Sequence, residues 1–165
     1  AAGLGGCGDR SGAGGQGRPG PAEIAAGTSC DLDGMLLADY PGPKAQIHYA
    51  DAAGRAAPLF LCDTVELYSL LLKPEQVRKV AVAYVQDMAR ADWQQPRGHW
   101  IDATTAFYVK GSRRHGSMGP TLASFAQEAD ARAFAAEHGG QVLRHGEITT
   151  AMVDLSGGAN YDARM

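Results

Sequence analysis

Gln46-Ile47-His48-Tyr49-Ala50 and Ala57-Pro58-Leu59-Phe60-Leu61 read as two short strands, and Asp51-Ala52-Ala53-Gly54-Arg55 between them carries the Asp and Gly that a hairpin turn needs. Asp63 or Thr64 then caps a helix whose apolar face is Val65, Leu67, Tyr68, Leu71 and Leu72, and Pro74 ends it. The apolar run Val80-Ala81-Val82-Ala83-Tyr84-Val85 follows as a buried strand. The unit is β-β-α-β.

The same order recurs downstream. Ala106-Phe107-Tyr108-Val109 and Leu122-Ala123-Ser124-Phe125-Ala126 read as strands, and Glu128 to His138 as an Ala-rich helix with Ala131, Phe134 and Ala135 inward. Gly139-Gly140 stops that helix with a left-handed cap, Gln141-Val142-Leu143-Arg144 closes the unit as a strand, and Ile148 to Asp154 forms a short helix. Residue identity between the two units is too low for a sequence repeat. The expectation is an α+β chain of two β-β-α-β modules, residues 29–92 and 93–155, joined through Gln86 to Trp100.

At 165 residues the chain makes one ordinary domain or two very small ones that share a core. Its net charge of -3 lacks the basic footprint of a nucleic-acid binder, so no nucleic-acid partner is expected. No apolar run approaches the roughly 18 residues that span a bilayer. Residues 1–28 are mostly Gly, Ala and other small or polar types, which bury too little to offset the entropy of ordering. They are expected to be a flexible tether, and residues 156–165 a flexible tail. Leu4-Gly5-Gly6-Cys7 matches the bacterial lipobox, so Cys7 is the expected lipidation site. The charged and apolar parts of a signal peptide do not precede it, which places the start of the sequence near the processing site. Contact with a membrane would then be by lipid anchor only.

Chemistry concentrates in Cys30-Asp31-Leu32-Asp33-Gly34-Met35, where a thiol and a thioether share a Gly-containing loop. Soft sulfur donors of this kind suit Cu(I) better than a hard cation. Met118 lies in His115-Gly116-Ser117-Met118-Gly119-Pro120, a composition that holds it on a loop, whereas Met88 and Met152 read as core filler. The candidate metal ligands are Cys30, Met118 and Met35, with His115 as an imidazole donor three residues from Met118. One thiolate with one or two weak thioethers leaves a position from which a recipient's ligand attacks, as a carrier requires. Cys30 is expected to be accessible and Cys62 to be a buried, inert thiol on an apolar strand. Asp31 and Asp33 read as turn formers, His48 as a sheet residue, and His99, His138 and His145 as structural. Lys44, Arg113 and Arg114 read as solvated charges.

Five segments resemble the NosL family of nitrous-oxide-reductase accessory lipoproteins. They are Cys30 to Met35, Tyr40-Pro41-Gly42-Pro43-Lys44-Ala45-Gln46-Ile47, Phe60-Leu61-Cys62-Asp63, Tyr84-Val85-Gln86-Asp87 and Gly116-Ser117-Met118-Gly119-Pro120. The resemblance covers roughly residues 28 to 155. It implies a periplasmic Cu(I) metallochaperone, lipid-anchored at the outer membrane, that delivers copper for maturation of nitrous oxide reductase in denitrifying bacteria. The implied partners are that reductase or its precursor and the associated membrane ABC transporter complex. The implied fold is two treble-clef-like units similar to the organomercurial lyase. Many members carry Cys-x-x-Cys-Gly-Met, and here Asp33 stands at the second Cys position, so the loop offers one thiol. Other donors must then be thioether, imidazole or carboxylate.

Two further readings stay open on the sequence. Cys30 as the nucleophile of a thiol enzyme, with a histidine base or with lyase chemistry by fold analogy, is one. A binding module in which Cys30 and Cys62 pair as a disulfide is the other.

Overall fold

The computed structural model describes residues 18–50 and 57–155. Cys7, the turn expected at 51–55 and the tail 156–165 lie outside the described residues.

β1 (Ala45–Tyr49) and β2 (Leu59–Leu61) pair antiparallel, Ala45 opposite Leu61 and Ile47 opposite Leu59. α1 (Thr64–Leu71) begins where Asp63 accepts the Val65 N–H at 2.9 Å. β3 (Val80–Gln86) returns along the other side of β1, and β4 (Trp100–Asp102) adds to its far edge, giving the sheet order β2-β1-β3-β4. The second half contains β5 (Phe107–Lys110), the small hairpin β6 (His115–Gly116) and β7 (Gly119–Pro120), then β8 (Ala123–Phe125), α2 (Glu128–His138) and β9 (Gln141–Arg144). Its three-stranded sheet has the order β8-β5-β9, and β6-β7 stands apart as a two-stranded ribbon. The architecture is α+β with small helices on antiparallel sheets. The β-β-α-β order is present in each half, with β4 and the ribbon added to it.

Those additions were invisible to periodicity because two or three residues display no alternation. The helix expected over 148–154 is instead a pair of 3-10 turns, His145–Glu147 and Thr150–Val153, the usual form for pieces this short. No helix among the described residues is long and apolar enough to cross a membrane.

The larger core unites the halves. Ile47, Leu61, Leu67 and Val85 pack with Tyr108, Leu122, Leu143 and Ile148 in one buried cluster. Met88, Trp93, Val109, Phe125 and Ala131 form a smaller cluster beneath α2. Met88 and Met152 both pack against core, as expected for gap-filling side chains. Tyr68 and Tyr108 meet edge to face at 5.2 Å, and the Tyr68 hydroxyl lies 2.8 Å from His145 Nδ1, which gives that histidine a structural partner.

The expected tether ends earlier than its composition implied. From Arg18 to Thr28 the chain lies against the folded body: Ala22 N–H donates to Gln46 Oε1 at 2.8 Å, and Gln46 Nε2 donates back to the Ala22 carbonyl at 2.9 Å. The Tyr84 hydroxyl donates to the Pro19 carbonyl, Arg18 pairs with Asp102, and Ile24 is buried. One apolar side chain and a buried amide suffice to dock a Gly- and Ala-rich strand, which composition alone does not reveal. His48 reaches the same Gln46 oxygen at 2.8 Å and meets Tyr84 edge-on, so it serves the sheet.

The ribbon is held to the first half by close backbone approach. A Cβ at Gly42 would stand 2.6 Å from the Gly116 Cα, and Gly42 adopts φ +84°, which L side chains rarely take. Gly42→Ala is expected to cost about 2–4 kcal/mol, from left-handed strain and overpacking together. Urea unfolding reads it, and an unchanged midpoint would show that the two segments separate freely.

Candidate metal centre

The Cys30 loop is shaped by its own backbone. Cys30 N–H donates to the Met35 carbonyl at 2.7 Å, Gly34 N–H to the Cys30 carbonyl at 2.8 Å, and Asp33 Oδ1 accepts the Met35 N–H at 2.9 Å. Gly34 turns the chain at φ +79°. Asp31 fixes the loop to β2 in both directions, its N–H donating to the Phe60 carbonyl at 2.8 Å and its Oδ2 accepting the Phe60 N–H at 2.7 Å. Asp33 performs the turn-forming role expected of it, whereas the Asp31 carboxylate makes a tertiary bond to β2 in place of a local turn.

That docking brings Cys30 beside the residue that follows β2. Cys30, Asp33, Cys62 and Glu66 each offer one ligand atom, and these atoms all lie within 4.8 Å of one another. The thiols of Cys30 and Cys62 each stand 3.3 Å from Glu66 Oε2, which also accepts the Cys62 N–H at 3.0 Å. Cys62 Sγ is 3.6 Å from Asp33 Oδ2. Glu66 Oε1 is buried with no hydrogen-bond partner, an oxygen with capacity to spare inside the cluster.

Two expectations are corrected. Cys30 is buried, 2% exposed, because the loop closes over its thiol while Asp31 to Gly34 face solvent. Cys62 is buried in the core as expected, but it lies just past the end of β2, where the chain turns into α1, and its thiol also meets the cluster of Cys30, Asp33 and Glu66. Glu66 was not singled out at all. Its place three residues after the N-cap Asp63 is the capping-box spacing, and its carboxylate does reach back to a backbone N–H, that of Cys62. The pattern foretold a helix start; only the neighbouring thiols turn it into a site.

The other candidates are near but differently placed. Met118 sits at the turn of the β6-β7 ribbon, partly buried against the core, and Met35 is likewise partly buried. Ser117 donates to the Cys62 carbonyl at 2.8 Å, which fastens the Met118 turn to the cluster's own backbone. His115 is an exposed residue of β6 whose carbonyl accepts the Trp93 indole N–H at 3.0 Å, and it is not one of the four clustered residues.

Lys44 is the third correction. Expected as a solvated charge, it is fully buried, with Nζ donating to the Pro41 carbonyl at 2.9 Å, because the Pro-Gly-Pro turn folds the chain back over it. Burial pulls its ammonium down to about 8, while Asp63, Cys62 and Glu66 work to keep it charged. Burial also pushes Glu66 up to about 8 and Asp63 up to about 6. A hydrogen bond from Cys62 draws the Cys30 thiol down to about 6 against its burial, and the Cys62 thiol that donates it is pushed up. The cluster therefore favours one thiolate, with a second thiol and a protonated carboxyl beside it. Two sulfur donors with carboxylates behind them fit a soft or borderline metal ion better than magnesium or calcium.

Small antiparallel sheets sharing one core, with a buried thiol–carboxylate cluster between a glycine loop and a helix start, define a small α+β protein with a candidate soft-metal centre. The chain belongs to the NosL family, whose profile matches residues 21–153. It is 42% identical over 134 residues to the copper-binding lipoprotein NosL of Stutzerimonas stutzeri, covering 81% of this chain and 68% of that protein. Against the protein of the same name from Achromobacter cycloclastes it is 46% identical over 123 residues, covering 72% of this chain and 62% of the other, less than two thirds of its length. The crystal structure of the copper chaperone NosL from Shewanella denitrificans superposes with a TM-score of 0.75 at 38% identity, over 82% of this chain and 98% of that one.

The raised carboxyls make apo stability depend on pH. A group that holds its proton more tightly when folded contributes fully below its ordinary value and loses that contribution as pH rises through its folded value. For Glu66 the window runs from 4.5 to about 8, and for Asp63 from 3.8 to about 6. Unfolding midpoints are expected to fall between about pH 4.5 and 6, before Cys30 ionises and opposes the trend. Glu66→Gln should flatten that fall, leaving the Asp63 share against the opposing, burial-lowered His48, and an unaltered slope in that variant would remove Glu66 from the explanation.

Proposed function

We propose that this chain is a Cu(I) carrier: a periplasmic metallochaperone anchored by lipid at Cys7, which delivers copper for nitrous oxide reductase. The observation that carries the reading is the convergence of the Cys30 and Cys62 thiols on one carboxylate oxygen, each at 3.3 Å. Membership of the NosL family and relatives named copper-binding lipoproteins or copper chaperone support the choice of metal. Recipients on this reading are the reductase or its precursor, working with a membrane ABC transporter complex. The treble-clef relation of the two units, residues 29–92 and 93–155, belongs to the same proposal and is supported by the shared β-β-α-β order.

Cys30 and Cys62 supply the anionic sulfur on this reading, Met118 and Met35 weaker thioether donors, and His115 an alternative neutral one. Cys30 as a thiolate binds first; the proton of Cys62 must leave before its sulfur can join. Glu66 orients both thiols through Oε2, and because its carboxyl already carries a proton, the Cys62 proton leaves to solvent. The carboxyl that faces Cys30 is held protonated by burial, which suits a proton-releasing metal site better than a nucleophile with a base beside it. Sparse sulfur coordination, unlike a closed four-thiolate cage, leaves room for a recipient's ligand to attack.

Competition against a chromophoric Cu(I) chelator is expected to give one copper per chain, with release of about one proton per copper near neutral pH. Cys30→Ser and Cys62→Ser should each weaken binding by about tenfold or more, since even outer-shell losses cost that much. Undiminished affinity in Cys30→Ser would end the proposal. Met118→Ala should weaken copper binding while costing less stability than the roughly 2–5 kcal/mol of a core methionine. A large stability loss with copper affinity intact would mark Met118 as packing.

A further inference from the structure

Cys30 and Cys62 are both free and both buried, on separate segments, with sulfur atoms within 4.8 Å of each other. A disulfide needs its sulfurs about 2.05 Å apart on closely spaced backbones. The two backbone segments are docked to each other: Asp31 and Phe60 bond each other twice, which holds the residue before Asp31 near the chain just past β2. The remaining approach falls to the loop, whose residues Asp31 to Gly34 are exposed, and Gly34 has nothing within 4 Å of where a Cβ would stand. Glu66 Oε2, which both thiols contact, is the atom they would turn away from as they join.

We propose that Cys30 and Cys62 are a redox-active dithiol whose substrate is a disulfide, either of the glutathione type or at the active site of a protein oxidant, and that the oxidised chain cannot load metal. Once the exposed loop over it, Asp31 to Gly34, is displaced, the Cys30 sulfur attacks one sulfur of the incoming disulfide, forming a mixed disulfide and expelling one thiol. Cys62 then attacks the Cys30 sulfur, forming the internal bond and expelling the second thiol. Two electrons pass to the substrate, whose two sulfurs leave as thiols, one proton coming from Cys62 and the other from Cys30 or from water. Both sulfur anions are thereby removed from the centre at once. The loss of loading rests on the copper reading; the disulfide itself does not.

The test equilibrates the metal-free full chain in glutathione buffers of graded ratio, followed by differential alkylation, peptide mapping and intact mass. As the buffer becomes oxidising, the chain should lose about 2 Da and show a Cys30–Cys62 linked peptide, while Cu(I) binding disappears and returns on reduction. In Cys62→Ser the Cys30 thiol should survive ratios at which the parent has lost both thiols, because only an adjacent thiol gives closure its effective-concentration advantage. Persistent free thiols, or glutathione adducts without the linked peptide, would overturn the dithiol. A linked peptide with copper binding undiminished would overturn the gating. Failure of the fully reduced chain to bind Cu(I) would instead count against the carrier reading, leaving the dithiol standing.

Discussion

Asp63 Oδ1 accepts the Val65 N–H at 2.9 Å and the Thr121 hydroxyl at 2.7 Å, from a position with no exposure to solvent. The first bond starts α1; the second ties that start to the segment leading into β8. Beside it the Thr64 hydroxyl donates to the Leu122 carbonyl at 2.7 Å, a second link across the same seam. A Cβ at Gly116 would stand 2.5 Å from Asp63 Oδ2, so the β6-β7 ribbon closes directly over the carboxylate. The halves of the chain are therefore joined at the N-terminus of one short helix. A buried carboxylate with one oxygen unpartnered is costly, and the raised proton affinity of Asp63 is the measure of that cost.

The metal centre takes its geometry from that junction. Once Asp63 fixes the start of α1, Cys62 precedes it and Glu66 lies in its first turn, so the two are set by helix geometry and need no further device. The Cys30 loop then arrives from outside, held by Asp31 to β2. Two of the four clustered residues belong to the rigid junction and two to the loop. On the carrier reading this division suits a site that grips an ion and later yields it: the junction preserves the donor arrangement, and the loop supplies freedom. Lys44, buried behind Pro41, adds a cation whose field reaches both thiols.

Much of the frame was legible in the sequence because it rests on patterns with physical causes. The stop at Gly139-Gly140, the cap at Asp63 and the apolar run from Val80 to Val85 each correspond to an element within a residue or so. Asp33 also read correctly, since Asp beside Gly has a local hydrogen-bonding job, whereas the Asp31 carboxylate reaches Phe60 on β2. What escaped was non-local. Cys62 reads as core and is core, but strand pattern describes a face and does not show that the turn after the strand brings its thiol beside Cys30 and Glu66. Lys44 looks solvated because a Pro-Gly-Pro turn says that the chain reverses without saying what it covers. The docking of residues 18–28 depends on Gln46, a polar residue whose two bonds to Ala22 exist only after the sheet has formed. The gathering of four ligand atoms from two distant segments is of the same kind.

The placement of the thiols within the shared core has a thermodynamic consequence. Cys30 and Cys62 belong to the same buried cluster as Ile47, Leu67 and Tyr108. An ion held by them can be lost to the unfolded chain only when that whole cluster opens, so cargo and global unfolding share one free energy. At a hundredfold excess over its dissociation constant, bound ion adds about 2.7 kcal/mol to folding stability. On the carrier reading each delivery would remove that increment and leave the emptied chain more open to proteolysis than the loaded one. On the carrier reading, quality control in the envelope would therefore act on the population that has no copper to give.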